Sequence, residues 1–339
     1  MADALLDIYG RHEVEASVLL RGVEGFGLKH HLHTDRLLTL SEDLPVVSVA
    51  VDTRERIDAL LPEVTELKRK GLITLERARM LTGEIQPVAL PEELHEATKL
   101  TVYVGRQERI AGGAAHAVVC DLLHRSGIAG ATALLGVDGT AHGVRRRARF
   151  FGRNADVPLM IIAVGSGEEI AGALPELGRL LPRPLLTLER VRLCKRDGQL
   201  LATPRRVEET DEHGLAVWQK LMVYASEHAK HGGAPLHRAL VERLRAAGVR
   251  GATCVRGIWG FHGDHAPHGD ALLHLRRRVP VVTIVIDSPA GIERAFEIVD
   301  EVTAERGLVT SELVPALAAL SDGGRHGGLR LARRRHHRA

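Results

Sequence analysis

Histidine binds transition metals and moves protons near neutral pH, and it clusters at two places in this sequence. His262, His265 and His268 fall within seven residues, with His274 further on. His30, His31 and His33 form a second group. His30 and His33 coincide with His265 and His268 under a shift of 235 residues. Three imidazoles so close are enough for Zn²⁺, Ni²⁺ or Cu²⁺. The surrounding HGDHAPHGD is rich in Gly and Pro and has no cysteine nearby. Ordering entropy opposes a metal site there, so a divalent-metal-binding protein is the alternative reading and a solvated or ligand-contacting loop the simpler one.

Three further patterns could hold an anion. Gly-Gly precedes a helical segment in HGGAPLH (Gly232, Gly233) and again in AGGAAH (111–116). Backbone N–H groups there can converge on negative charge at a helix N-terminus, although an ordinary strand-to-helix turn gives the same sequence. Basic turns come next: Lys68-Arg69-Lys70-Gly71, Arg306-Gly307 and, more weakly, Arg183-Pro184. Cations at a helix C-terminus also simply answer its dipole. Lastly, Gly25-Phe26-Gly27 and Gly260-Phe261 suggest a backbone turn that a Cβ would disturb, with the Phe packed beneath a loop or lining a cleft. Catalysis finds no support. The chain has no G-x-S-x-G, H-E-x-x-H or G-x-x-x-x-G-K-[ST] motif. Asp43, Asp52 and Asp287 sit where element ends use carboxylates as caps. A binding protein, not an enzyme, is expected.

These residues recur because the chain repeats itself. A shift of 235 lays Arg21, Gly22, Gly25 and Phe26 on Arg256, Gly257, Gly260 and Phe261, and LPVVSVAVD on VPVVTIVID. A shift of 121 lays GATALLGVDG (130–139) on GATCVRGIWG (251–260) and LTVY (100–103) on LMVY (221–224). GLITLE, PLLTLE and GLVTSE close the three copies. Copy 3 reads as strand KLMVYAS, helix LHRALVERLRAAG, strand ATCVRGI, a Gly/His/Asp loop, strand VPVVTIVID, helix GIERAFEIVDEVTAERG and strand LVTSELV. That is β-α-β-β-α-β, the ferredoxin-like order. The strands are continuous apolar runs, as expected when helices cover one face and a second sheet the other.

The phrases RGVEGFG, LSEDLPVVSVAVD and GLITLE, with KLMVYASE, HGGAPLHRALVERLRAAGVRGATCVRGIWGFH and VPVVTIVID, resemble the PII-like bacterial family known as domain of unknown function 190. The resemblance implies copy 1 at 1–84, copy 2 at 99–196 and copy 3 at 219–318. It implies an α+β fold of three ferredoxin-like repeats closed into an intrachain pseudo-trimer, a monomeric chain standing in for a homotrimer. It implies regulation: a small ligand, with an adenine nucleotide as the candidate, held in inter-copy clefts, and loops 24–43, 138–156 and 259–278 that project toward a protein partner. In the resemblance the basic turns (Lys68, Lys70, Gly71; Arg306, Gly307) meet nucleotide phosphates. Related families are often encoded beside fluoride channels, so a membrane transporter or channel is the expected partner.

The copies have diverged. Copy 2 has Leu135, Asp138, Gly139 and Thr140 where the others keep Arg-Gly-x-x-Gly-Phe. Its loop carries Arg145, Arg146, Arg147, Arg149 and Arg153, so the clefts should differ. Copy 1 has no KLxVY strand: the shift places its first residues on the first helix. Either an upstream segment supplies that strand or another stretch, Ile85–Leu90 or Gln199–Ala202, fills its place.

Composition narrows the class. Of 339 residues, 45% are apolar and 26% charged, and no apolar run reaches the roughly 18 residues of a membrane span. No secretory signal is visible, and Cys120, Cys194 and Cys254 are odd in number and far apart. Buried thiols in a cytoplasmic protein are expected. Net charge is +3, but the stretch from Ser321 to Ala339 holds +5 and leaves the body at −2. The tail 319–339 is expected to be basic and disordered, and nothing else points to nucleic acid.

Overall fold

A computed structural model describes residues 2–27, 31, 33–34, 44–67, 70–85, 97–147, 157–262, 268–269, 279–321 and 324–332. Copy 1 comprises α1 (Ala2–Arg11), β1 (Ala16–Phe26), β2 (His33–Thr34), β3 (Val46–Val51), α2 (Arg54–Leu67), β4 (Gly71–Leu75) and β5 (Arg79–Thr82). Copy 2 comprises β6 (Thr98–Gly105), β7 (Arg109–Ile110), β8 (Gly113–Ala114), α3 (Ala115–Arg125), β9 (Gly130–Leu135) and β10 (Asp138–Ala141). It continues with β11 (Val144–Arg147), β12 (Pro158–Gly165), α4 (Gly167–Leu180), β13 (Leu185–Arg190), β14 (Arg192–Arg196) and β15 (Gln199–Leu200). Copy 3 comprises β16 (Trp218–Ser226), β17 (Lys230–His231), β18 (Ala234–Pro235), α5 (Leu236–Ala246), β19 (Ala252–Arg256) and β20 (Trp259–His262). It ends with β21 (His268–Gly269), β22 (Pro280–Asp287), α6 (Pro289–Val302), β23 (Leu308–Val314), β24 (Ala316–Ser321) and β25 (Gly324–Gly328).

The local chemistry explains the boundaries. Ser288 caps α6 by accepting the Gly291 N–H at 3.2 Å, with Pro289 at the first helical position. Ser166 and Glu169 form a reciprocal capping box on α4, at 3.1 and 2.7 Å. Gly248, at φ +72°, ends α5 where a side chain would be strained. Asp287 of copy 3 accepts the Ser288 and Arg250 amides, and Asp52 of copy 1 accepts those of Thr53 and Glu15, the same clamp. Both aspartates therefore do the capping work expected of them.

Copies 2 and 3 have one strand order. Copy 2 runs β9-β12-β6-β13 and copy 3 runs β19-β22-β16-β23, all antiparallel. Each copy's first strand is thus central, between its third and fourth. Helices α3 and α4, with copy 2's sheet, enclose one apolar core, and α5 and α6 enclose another with copy 3's. On the opposite faces a single core joins all three copies through Val18, Leu134, Ile162, Met222 and Val282. That is the two-sided burial the apolar strands required.

Two sets of strand pairs link the copies in cyclic order. The strand after each copy's fourth pairs with the fourth strand of the next: β5 with β13, β14 with β23, and β24 with β4. The extension of each second strand pairs with the second strand of the preceding copy: β10 with β1, β20 with β9, and the end of β1 with β19. The register is conserved around the cycle: Phe26 faces Ala252, Phe261 faces Ala131, and Thr140 faces Ser17.

The R-G-x-x-G-F phrase is therefore not a turn, as its glycines suggested: in copy 1 it is the end of β1, in copy 3 it runs from the end of β19 into β20, and both cross to the neighbouring copy. Its glycines are where two backbones approach. A Cβ on Gly25 would stand 2.6 Å from the Ala252 carbonyl, and those on Gly139 and Gly260 would collide with the carbonyls of Ser17 and Ala131. A second correction concerns the tail. β25 pairs with β24, and the Ala332 amide bonds the Pro315 carbonyl at 2.8 Å, so residues 324–332 are ordered against the body rather than disordered. Residues 333–339 lie outside the described part.

Candidate functional site

Where the three copies meet, a charged cluster interrupts the apolar core. Glu76, Glu189 and Glu312 close the last strands of copies 1, 2 and 3, and an oxygen from each lies within 4.8 Å of the others. Two lysines from the first strands answer them. Lys99 Nζ lies 2.6 Å from Glu312 and 3.1 Å from Glu189. Lys220 Nζ lies 2.5 Å from Glu76 and 3.1 Å from Glu312. The strand pairing places them, since Lys99 is opposite Glu189 and Lys220 opposite Glu312.

Three carboxylates against two ammoniums leave one excess negative charge in a buried place, where unpaired charge is costly. The groups respond in opposite directions. Burial pushes the Glu189 carboxyl up, and the other carboxylates add to it, outweighing the pull of Lys99. Burial works against the Glu312 carboxylate too, but Lys220 and Lys99 together hold it below the usual range. Burial opposes the charge on Lys99 and Lys220, and the surrounding glutamates overcome it, so both stay firmly protonated. The cluster has metal-ligand spacing, but two ammonium groups already occupy its donors. Glu312 Oε1 is buried with no hydrogen-bond partner among the described residues.

Copy 1 contributes a glutamate but no lysine. Among the described residues, no strand lies between β3 and β4, where β6 and β16 lie in the other copies. The consequence is visible in burial. All of β12 is buried, and most of β22, whereas β3 is half-exposed along its length and Val46 is 53% exposed. Gln199 and Leu200 pair with β14, Ile85 packs beside Gly178 of α4, and residues 86–90 lie outside the described part.

The other expected site residues are dispersed. Phe26 and Phe261 are buried in the cores of copies 3 and 2 respectively, each a side chain lent to a neighbour. Gly27 is at the strand end, with nothing within 4 Å of where a Cβ would be. Gly232 (φ +56°) and Gly233 (φ +83°) form the tight tip of the β17–β18 hairpin ahead of α5. Gly71 and Gly307 open the fourth strands with φ +113° and +110°. Arg306 is exposed beside a copy boundary, where Asp197 of copy 2 donates its amide to the Gly307 carbonyl at 2.9 Å. Lys70 is exposed, and Lys68 lies outside the described residues, as do His30 and His265. His33 faces Gly25 and His268 faces Gly260 in equivalent two-residue strands, with His262 in β20. Among the described residues the histidines form no group with metal-ligand spacing. The three cysteines are free and buried, and burial raises the Cys194 and Cys254 thiols to about 12.

The charged cluster was missed by motif reading. Its signal was present: a glutamate closing GLITLE, PLLTLE and GLVTSE, and a lysine opening KLTVY and KLMVY. A charge repeated inside otherwise apolar strands needs a buried partner.

The family model DUF190, described as Uncharacterized ACR, matches residues 1–80, 97–193 and 218–316. A UPF0166 protein of Aquifex aeolicus (strain VF5) is 33% identical over 98 residues, 29% of this chain and 90% of that protein. A further match to a UPF0166 protein of that organism is 34% identical over 67 residues, 20% of this chain and 70% of the relative. A UPF0166 protein of Methanocaldococcus jannaschii is 30% identical over 81 residues, 24% of this chain and 74% of the relative. These relatives are the length of one copy rather than of three.

Proposed function

The chain belongs to the DUF190 family in three tandem copies, and on that premise we propose a PII-like regulatory protein that binds rather than transforms its ligand. Its three ferredoxin-like copies act as a covalent pseudo-trimer in the cytoplasm. A small anionic ligand, an adenine nucleotide in the first instance, sits at a boundary between copies. Binding orders a projecting loop, which then engages a partner such as a membrane transporter or channel. Among the described residues, no helix is long and apolar enough to cross a membrane itself.

The observation that supports this reading is the cyclic strand pairing. It makes every fourth-strand turn a boundary feature, so Arg306 and Gly307 of copy 3 stand against the Asp197–Gly198 turn of copy 2. Linking the copies makes such a boundary independent of concentration and lets each one diverge. The test is a thermal-shift screen with ATP, ADP, AMP, cyclic nucleotides, fluoride, Ni²⁺ and Zn²⁺. A ligand at a hundredfold excess over its Kd adds about 2.7 kcal/mol of stability. A nucleotide shift weakened by Arg306→Ala supports the reading. Stabilisation by metal alone, abolished by His265→Ala, replaces it with the metal-binding alternative. Turnover of a bound nucleotide replaces it with an enzyme.

A further inference from the structure

We propose that the outer edge of copy 3's last hairpin, β25 with residues 329–332 and the neighbouring Arg77, is a contact surface for an anionic phospholipid membrane. The surface is fixed to the body. β25 pairs with β24 at five positions, from Ser321 opposite Gly324 to Leu317 opposite Gly328. Gly327 stands at φ +78°, and a Cβ there would lie 2.2 Å from the Leu317 carbonyl, so this stretch is shaped to lie where it does. Beyond β25 the Ala332 amide bonds the Pro315 carbonyl, and Arg77 donates to the Ala332 carbonyl at 3.0 Å.

Three observations point to this partner. The cations are presented and uncommitted: Arg325, His326 and Arg330 are exposed and form no ion pair among the described residues. Arg77 is exposed as well, and its bond goes to a carbonyl rather than a carboxylate. None of the three strands of this sheet, GLITL, ALAALS and GRHGG, contains an acidic residue, and Glu76 beyond β4 is paired with Lys220. Asp322, in the turn, lies outside the described part. The second observation is the equivalent hairpin of copy 2, β14–β15. There Lys195 is buried against Asp300 at 2.6 Å, and Leu200 and Leu201 are the residues left exposed. Copy 3's hairpin has turned its charge outward instead. The third is the distribution of charge. From Arg325 onward the sequence holds six arginines and no acidic residue, while the chain before Ser321 carries −2. Attraction to an anionic leaflet therefore acts on this edge and orients the molecule. Single-stranded nucleic-acid binders add aromatic side chains on which bases stack, and 321–339 contains none.

The test is co-sedimentation of the intact protein with vesicles of phosphatidylcholine alone and of phosphatidylcholine mixed with phosphatidylserine. Binding should appear only with phosphatidylserine and fall steeply as salt rises, because salt screens exposed charge. Arg325→Gln combined with Arg330→Gln should lower the partition coefficient at least about tenfold. It should leave Tm unchanged, since neither side chain holds a partner in the folded protein. A second variant, with Arg333, Arg334 and Arg335 all changed to Gln, removes the charge that follows the edge. If that variant loses binding while the Arg325/Arg330 variant keeps it, a basic tail acts alone and the built edge is overturned. No binding to phosphatidylserine vesicles, or equal binding to phosphatidylcholine alone, overturns the membrane contact. Tighter binding to a DNA duplex than to phosphatidylserine vesicles at the same salt replaces the membrane by nucleic acid. Arg306 takes no part in this edge, so it and the nucleotide boundary can fail separately.

Discussion

Copy 1 and copy 3 carry the same R-G-x-x-G-F strand and the same aspartate clamp, yet their sheets are built differently. In copy 3, β16 fills the middle of the sheet, buries β22 and β23, and delivers Lys220 to the central carboxylates. In copy 1 that position is open among the described residues, β3 and β4 are half-exposed, and Glu76 depends on a lysine from another copy. A shared flanking motif therefore does not make equivalent copies. One central strand decides both how dry a sheet is and how charge is balanced where the copies meet.

The strongest way to break this comparison is to remove the lysine that copy 3 supplies. Lys220→Met leaves Glu76 and Glu312 facing each other without their shared cation. Breaking a buried pair from one side costs about 3–5 kcal/mol, read by urea denaturation. Glu76→Gln should cost less, because its side chain is 23% exposed and partly solvated. Equal losses would mean that copy 1 is as closed as copy 3.

The boundaries between copies sharpen the comparison next. Phe261→Ala removes a ring from copy 2's core and should cost about 3–5 kcal/mol. At the third boundary the pair is polar: Thr140 Oγ1 and N both lie 2.9 Å from Ser17 Oγ. Thr140→Ala should cost only about 1 kcal/mol. Gly25→Ala should fall between these two, at about 1–3 kcal/mol through the Ala252 carbonyl, with Gly27→Ala as a neutral control. If the two glycine variants melt alike, the close backbone approach is not what preserves the phrase.

Much of this was legible in the sequence. The three copies, their strand and helix order, the capping aspartates and the buried cysteines all follow from periodicity and local chemistry. The boundary strands were not. Residues 259–262 read as the start of a loop, because Gly260 inside a strand has no local reason and its reason is a carbonyl in another copy. The short strands after each fourth strand were missed for the same cause: β5, β14 and β24 pair only across a boundary. The central cluster needed both facts at once, since Lys99 meets Glu312 across 213 positions of chain.

The smallest expected effect separates the two glutamates that share Lys99. Burial raises the Glu189 pKa in the folded state, so this group's stabilising contribution is full below its unfolded value and is lost as pH rises through the folded one. Glu312 is depressed, so its contribution is present above its unfolded value and is lost as pH falls through the folded one. Glu189→Gln should therefore be nearly neutral under mildly acidic conditions and stabilising as pH rises above the ordinary carboxylate range. Glu312→Gln should destabilise at neutral pH and become harmless only in acid. Denaturant midpoints of both variants across pH read this directly. If the two profiles coincide, the excess proton is shared among the carboxylates, and the cluster behaves as one group rather than as a neutral acid beside an ion pair.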